Sequence, residues 1–173
     1  VDLNITIKKN SSRTPVLLWN HRWEYDKNPE VFFNVLEKIS DNGIDFQLVV
    51  LGNEFKNELP CFTRARKILK KHIIQFGFTS SFKEYAKWIW KADILPITSN
   101  QDFFGSSIME AVYCHTIPIL PNRLTYPELF KIENNPQLFF NDEQDLLHKL
   151  IEMIENTSNL KFQSYQEIAR KYD

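Results

Sequence analysis

Short apolar runs alternate along this chain with longer stretches whose apolar residues recur at helical spacing. Phe46–Leu51 is an apolar run, interrupted only by Gln47 and ending at Gly52, the pattern of a strand buried on both faces. Pro15–Trp19, Ile73–Phe76, Asp93–Ile97, Ile117–Leu120 and Leu138–Phe140 are further short runs of this kind. Between them, Pro29–Ser40 places Phe32, Phe33, Leu36 and Ile39 at helical spacing, and Ser80–Lys91 does the same with Phe82, Tyr85, Ala86 and Ile89. Further helices are predicted over 60–71, Ser106–Cys114, Tyr126–Lys131, Gln144–Glu155 and Phe162–Tyr172. Strands alternating with helices predict an α/β fold: a Rossmann-like parallel sheet with helices on both faces. In such sheets ligands sit beyond the carboxyl ends of the strands.

Residues 1–13 are polar and patternless, and read as a linker or the tail of a missing N-terminal domain. Residues 14–173 then form one domain, since 173 residues suffice for one well-packed core and hardly for two. The chain starts Val-Asp-Leu without an initiator Met, so it reads as part of something longer. Hydrophobic residues make up 43% and charged residues 25%, ordinary for a soluble globular domain. No run of about 18 apolar residues predicts a membrane span. Two cysteines, Cys61 and Cys114, are too few for a disulfide framework and suggest a reducing compartment, so the expected location is cytoplasmic. A formal net charge of −1 gives the domain no overall basic footprint. The local exception is Arg64, Arg66, Lys67, Lys70, Lys71 and His72, either the solvated face of a helix or a patch for RNA phosphates.

The most informative stretch is Gln101-Asp102-Phe103-Phe104-Gly105-Ser106-Ser107-Ile108-Met109-Glu110-Ala111. A strand, a loop, a glycine and a helix start follow one another. Such a turn presents unpaired N–H groups and the positive end of a helix dipole to an anion. A carboxylate on each side of that anion site suits a ligand bearing both phosphates and hydroxyls, such as a nucleotide sugar. Each residue also has a plainer reading. Ser107-x-x-Glu110 matches a capping box, which would make Glu110 only a helix cap. Asp102 could be a turn former.

Other candidates stand after other strands. Arg22 and Lys27 follow the first strand and can clamp a diphosphate, Arg by its planar fork and Lys as a point charge. Their alternative is surface pairing with Glu24, Asp26 or Glu30. His21 could hydrogen-bond a phosphate or a sugar. Gly77-Phe78-Thr79 follows the third strand, where a glycine lets the backbone approach a nucleobase or simply turns a loop. There is no Asp-x-Asp near the site, no zinc-spaced His/Cys cluster, no phosphate loop, no Gly-x-Gly-x-x-Gly and no serine nucleophile elbow. Metal-dependent, ATP-hydrolysing, NAD-dependent and serine-hydrolase chemistries therefore find no support.

Asp102-Phe103-Phe104-Gly105 to Glu110-Ala111, with Cys114-His115-Thr116-Ile117-Pro118 behind it, resembles the signature of the large family of retaining glycosyltransferases of GT-B fold. The likeness covers roughly 15–155. Trp19-Asn20-His21-Arg22-Trp23-Glu24-Tyr25-Asp26-Lys27-Asn28-Pro29-Glu30 and Pro121-Asn122-Arg123-Leu124-Thr125-Tyr126-Pro127-Glu128 look, more narrowly, like the glycosyltransferase-like-domain-containing-1 family, associated with tRNA-queuosine mannosyltransferase. The resemblance implies the C-terminal, nucleotide-sugar-binding half of a GT-B enzyme. It implies GDP-mannose as donor, queuosine in tRNA as acceptor, retention of configuration and no metal or cofactor. Arg22 and Lys27 would hold the diphosphate with amides near Gly105, Ser106 and Ser107. Glu110 would hold the ribose, Asp102 the sugar hydroxyls, and Gly77 and Phe78 would meet the base. Two residues depart from that pattern: Asp102 stands where the family keeps Glu, and His115 where it keeps Gly at the helix end. The rival expectations are an enzyme of this fold acting on lipid or polysaccharide, and a non-catalytic Rossmann-like binding module.

Overall fold

Apolar runs must lie side by side and be covered on both faces to leave water. The computed structural model describes residues 13–52, 58–157 and 164–172. It forms one six-stranded sheet from β1 (Val16–Trp19), β2 (Gln47–Leu51), β3 (Ile73–Gly77), β4 (Ile94–Pro96), β5 (Ile117–Pro121) and β6 (Phe139–Phe140). The spatial order is β3-β2-β1-β4-β5-β6, and every pairing is parallel. The winding therefore reverses between β1 and β4. At such a switch point the loops leaving the two strands part, and a crevice opens beyond their carboxyl ends.

The covering helices are α1 (Pro29–Asp41), α2 (Pro60–Ile68), α3 (Phe82–Lys91), α4 (Ser106–Tyr113), α5 (Tyr126–Leu129), α6 (Glu143–Glu155) and α7 (Gln166–Ala169). Successive strand side chains point to opposite faces, so β1 feeds two cores. Leu17 and Trp19 join Phe32, Phe33 and Leu36 of α1, Phe62 of α2 and Leu150 of α6. Val16 and Leu18 join Ile89 of α3 and Ile108 and Val112 of α4 on the other face. Burial on both sides is why the strands read as continuous apolar runs rather than as alternating ones. Trp19 is fully buried, its ring 5.0 Å from that of Phe32 and 5.9 Å from that of Phe62.

The expected strands and helices are recovered within a few residues at each end, with two differences. The helix expected over Tyr126–Lys131 stops at Leu129, and Lys131 adopts a left-handed φ of 49°. Of the helix expected over Phe162–Tyr172, residues 162 and 163 lie outside the described residues. The remainder is α7, a single turn, followed by a 3₁₀ turn over Arg170–Tyr172, the tighter winding common at helix ends. Most of the expected tail, residues 1–12, also lies outside the described residues. Arg13 is tied to the sheet, donating from Nη2 to Asp93 Oδ1 at 2.8 Å, while Asp93 Oδ2 accepts from the Val16 amide. His115 does take the left-handed conformation that glycine would take more cheaply, with φ 65°. Both cysteines are buried, and burial pushes the Cys61 thiol up to about 11, so it packs as a small apolar group. Among the described residues no helix is long and apolar enough to cross a membrane.

Candidate functional site

The chain leaving β1 is stitched to the start of α4. Asn20 Nδ2 donates to the Ser107 carbonyl at 2.7 Å, and His21 Nδ1 stands 3.1 Å from Ser107 Oγ. His21 is buried beside Trp19, its ring edge-on at 5.2 Å. Burial disfavours the imidazolium, and it outweighs the opposing charge of Asp102, so the pKa falls to about 4. His21 is therefore a neutral ring at physiological pH.

Arg22 and Lys27 leave the same strand end into different surroundings. The Arg22 side chain is 63% exposed and pairs with Glu24 at 3.2 Å and Asp26 at 4.0 Å. That is the surface pairing open to it from the sequence, whereas Glu30 pairs with Arg64 instead. Lys27 is buried. Its Nζ donates to the Gln101 carbonyl at 2.9 Å and lies 3.6 Å from Asp26 and 3.7 Å from Asp102. Thr98 Oγ1 donates to the Lys27 and Asn28 carbonyls, and the Asn100 amide donates to the Asp26 carbonyl. The loop after β1 is thus fixed to the loop after β4.

Gly105 caps α4 in the left-handed conformation, with φ 70° and ψ 39°. The left-handed backbone asks for glycine, while a Cβ there would stand 3.1 Å from Ile108 Cδ1, a flexible side-chain end that would have to give by a few tenths of an ångström. Asp102 builds this turn: its Oδ1 accepts from the Gly105 amide at 3.1 Å, and its Oδ2 accepts from the buried Tyr126 phenol at 2.9 Å. The Gly105 amide is thus already engaged, which leaves Ser106 and Ser107 to offer first-turn amides to a ligand. Burial, followed by the charge of Asp102, pushes the Tyr126 phenol well above its usual range, so it stays protonated and donates to Asp102.

The capping box does not form. The cap is Gly105, Ser107 Oγ faces His21, and Glu110 Oε2 accepts from the Tyr85 phenol of α3 at 2.8 Å. Glu110 is exposed and free of any duty to its own helix start. Gly77 ends β3 at φ 111°, and a Cβ there would meet nothing within 4 Å. Glycine is needed there for the backbone's turn, in front of open space. Phe78 follows with 70% of its surface exposed, and Phe82 at the start of α3 with 80%.

Contacts therefore join His21 to Ser107, and Lys27 to Asp102 and through it to Gly105. Gly77 and Phe78 share with them the carboxyl edge of the sheet. Tyr85 and Tyr126 stood in the sequence only as part of a helix face and of a family-like string, with no site role, although each holds one of the two carboxylates. The basic stretch is divided. Arg64 is tied to Glu30, Asn34 and Glu37. Arg66 lies over the Phe76 ring and beside Glu58. His72 is buried against Phe46, bonded to the Phe46 carbonyl and Ser40 Oγ. Lys67, Lys70 and Lys71 remain exposed.

A doubly wound parallel sheet with a glycine-capped helix at its carboxyl edge is the fold of one half of the GT-B architecture. Solved structures agree. The C-terminal domain of a glycosyl transferase group 1 family protein (LpcC) from Francisella tularensis superposes with a TM-score of 0.70 at 18% identity, over 91% of this chain and 85% of that one. A structure described as trehalose-6-phosphate from E. coli bound with UDP-2-fluoro glucose superposes with a TM-score of 0.65 at 12% identity, over 94% of this chain and 42% of that one. Residues 3–172 match the model of the glycosyl transferases group 1 family, and the chain belongs to that family. It is also 33% identical over 134 residues to the tRNA-queuosine alpha-mannosyltransferase of Drosophila melanogaster. That match takes in 78% of this chain and 34% of the relative, so the chain spans about a third of the relative's length.

Proposed function

We propose that this chain is the donor-binding part of a retaining, metal-independent glycosyltransferase that moves mannose from GDP-mannose to queuosine in tRNA. The likeness to the Drosophila melanogaster mannosyltransferase carries the choice of donor and acceptor. The arrangement at the switch point supports the division of labour. An exposed ion pair such as Arg22–Glu24 contributes about 0–1 kcal/mol, too little to keep Arg22 from an arriving diphosphate. Arg22 would leave Glu24 for the diphosphate, while Lys27 and the amides of Ser106 and Ser107 meet it from the buried side. Charge growing on the leaving diphosphate is then neutralised by groups already in place. His21, neutral and bonded to Ser107, completes this side of the pocket. Glu110 takes the ribose, Asp102 stands at the sugar end, and the backbone about Gly77 and Phe78 meets the base.

The acceptor would be held by a further part of the full-length enzyme. The proposed tRNA acceptor is compatible with the cytoplasmic location expected from the sequence. The test is transfer by the full-length protein from radiolabelled GDP-mannose, with queuosine-bearing tRNA, the same tRNA lacking queuosine, and a lipid-linked sugar as acceptors. Label in the first alone is the expected result. Label in the lipid, or transfer only from a UDP-sugar, contradicts the reading while leaving the family intact.

A further inference from the structure

Glu110 has two carboxylate oxygens, and a neighbouring helix holds one of them. The Tyr85 phenol donates to Oε2 at 2.8 Å. Among the described residues Oε1 takes part in no hydrogen bond or ion pair. Glu110 sits on the exposed face of α4, where a glutamate left to itself samples several rotamers and loses that freedom when a ligand arrives. Tyr85 is half-buried, with its ring packed on the apolar layer that holds α3 and α4 against the sheet. Phe82, one turn earlier on α3, lies 6.3 Å away, ring to ring. The phenol therefore comes from a fixed body.

We propose that Tyr85 is a positioning residue for ribose recognition: it pins one oxygen of Glu110 so that the other faces the two ribose hydroxyls of the bound nucleotide. This rests on the donor-binding reading above and adds to it a residue outside the family's signature segment. Burial and the Glu110 charge push the Tyr85 phenol well above its usual range, so it donates throughout the working pH range and never competes for the ribose as an anion. Pre-ordering of the carboxylate moves part of the ordering cost from the binding step into folding.

The test is calorimetric titration of the wild-type chain and Tyr85→Phe with GDP and with 2′,3′-dideoxy-GDP. Phenylalanine keeps the packed ring and removes only the oxygen. Tyr85→Phe is expected to weaken GDP about three- to tenfold, the worth of one oriented hydrogen bond, and to leave the dideoxy nucleotide unchanged. In a Glu110→Ala background the same substitution is expected to change nothing, and thermal melting of each variant gives the folded fraction. Equal weakening of both nucleotides would make Tyr85 a packing residue and overturn the proposal, as would no weakening of either. Failure of the wild-type chain to bind GDP at all would instead remove the donor-binding reading on which the proposal stands.

Discussion

Arg22 and Lys27 show how little the residue type says about its service. Arg22 is exposed and weakly paired, and Arg22→Ala is expected to leave stability within about 0.5 kcal/mol. Equal melting curves with weakened nucleotide affinity would confirm that Arg22 serves the ligand, and a lowered melting point would show that it serves the fold. His21 makes a pH prediction. In the unfolded chain its pKa is the ordinary 6.5, and in the fold burial lowers it to about 4. Below 6.5 the unfolded chain takes up a proton that the folded chain refuses, so stability falls as the pH drops from 6.5 towards 4. The full loss is on the order of 3 kcal/mol. Denaturant titrations at pH 7, 5.5 and 4.5 should show this slope, and His21→Gln should flatten it. An unchanged slope in the variant would mean that His21 is not the group responsible.

At the scale of elements, the start of α4 was readable and its side-chain partners were not. A glycine followed by two serines after a buried strand marks a helix start by local chemistry, and Gly105 is the cap. Gly105→Ala is expected to cost about 1–2 kcal/mol for the left-handed backbone alone, with nucleotide affinity falling as the turn shifts. Stability and affinity equal to wild type would show that the turn tolerates a side chain. The alternative reading of Ser107 and Glu110 as a capping box does not hold, because Gly105 is the cap and each of the two side chains is bonded elsewhere. Those partners, together with Tyr126 on Asp102, come from far along the chain: Tyr85 lies 25 residues from Glu110, and Tyr126 24 residues from Asp102. Helical period and caps are local signals, and a contact across the sheet edge leaves no trace in them. Burial behaves in the same way. Nothing in Asn20-His21-Arg22-Trp23 shows that His21 is buried while Arg22 is exposed, since that depends on which loop folds over the strand end.

At the scale of the whole molecule, the alternation of strands and helices was enough to foresee a parallel sheet with two covered faces. The strand order β3-β2-β1-β4-β5-β6 was not foreseen, because order depends on which side each crossover takes. That order sets the switch point between β1 and β4, where His21, Lys27, Asp102 and Ser107 come together through direct contacts. The chain covers 34% of its Drosophila melanogaster relative, and transfer needs a site for the acceptor as well as for the donor. The chain alone is therefore expected to bind nucleotide without transferring sugar. Release of mannose from GDP-mannose onto tRNA by the isolated chain would overturn that expectation. The most direct measurement is calorimetric titration of the chain, Arg22→Ala and Glu110→Ala with GDP, UDP, ADP and CMP. Binding selective for GDP and weakened in both variants is the predicted result. Binding untouched by either substitution, or no preference among the four nucleotides, would contradict a GDP-sugar site at the ends of β1 and β4.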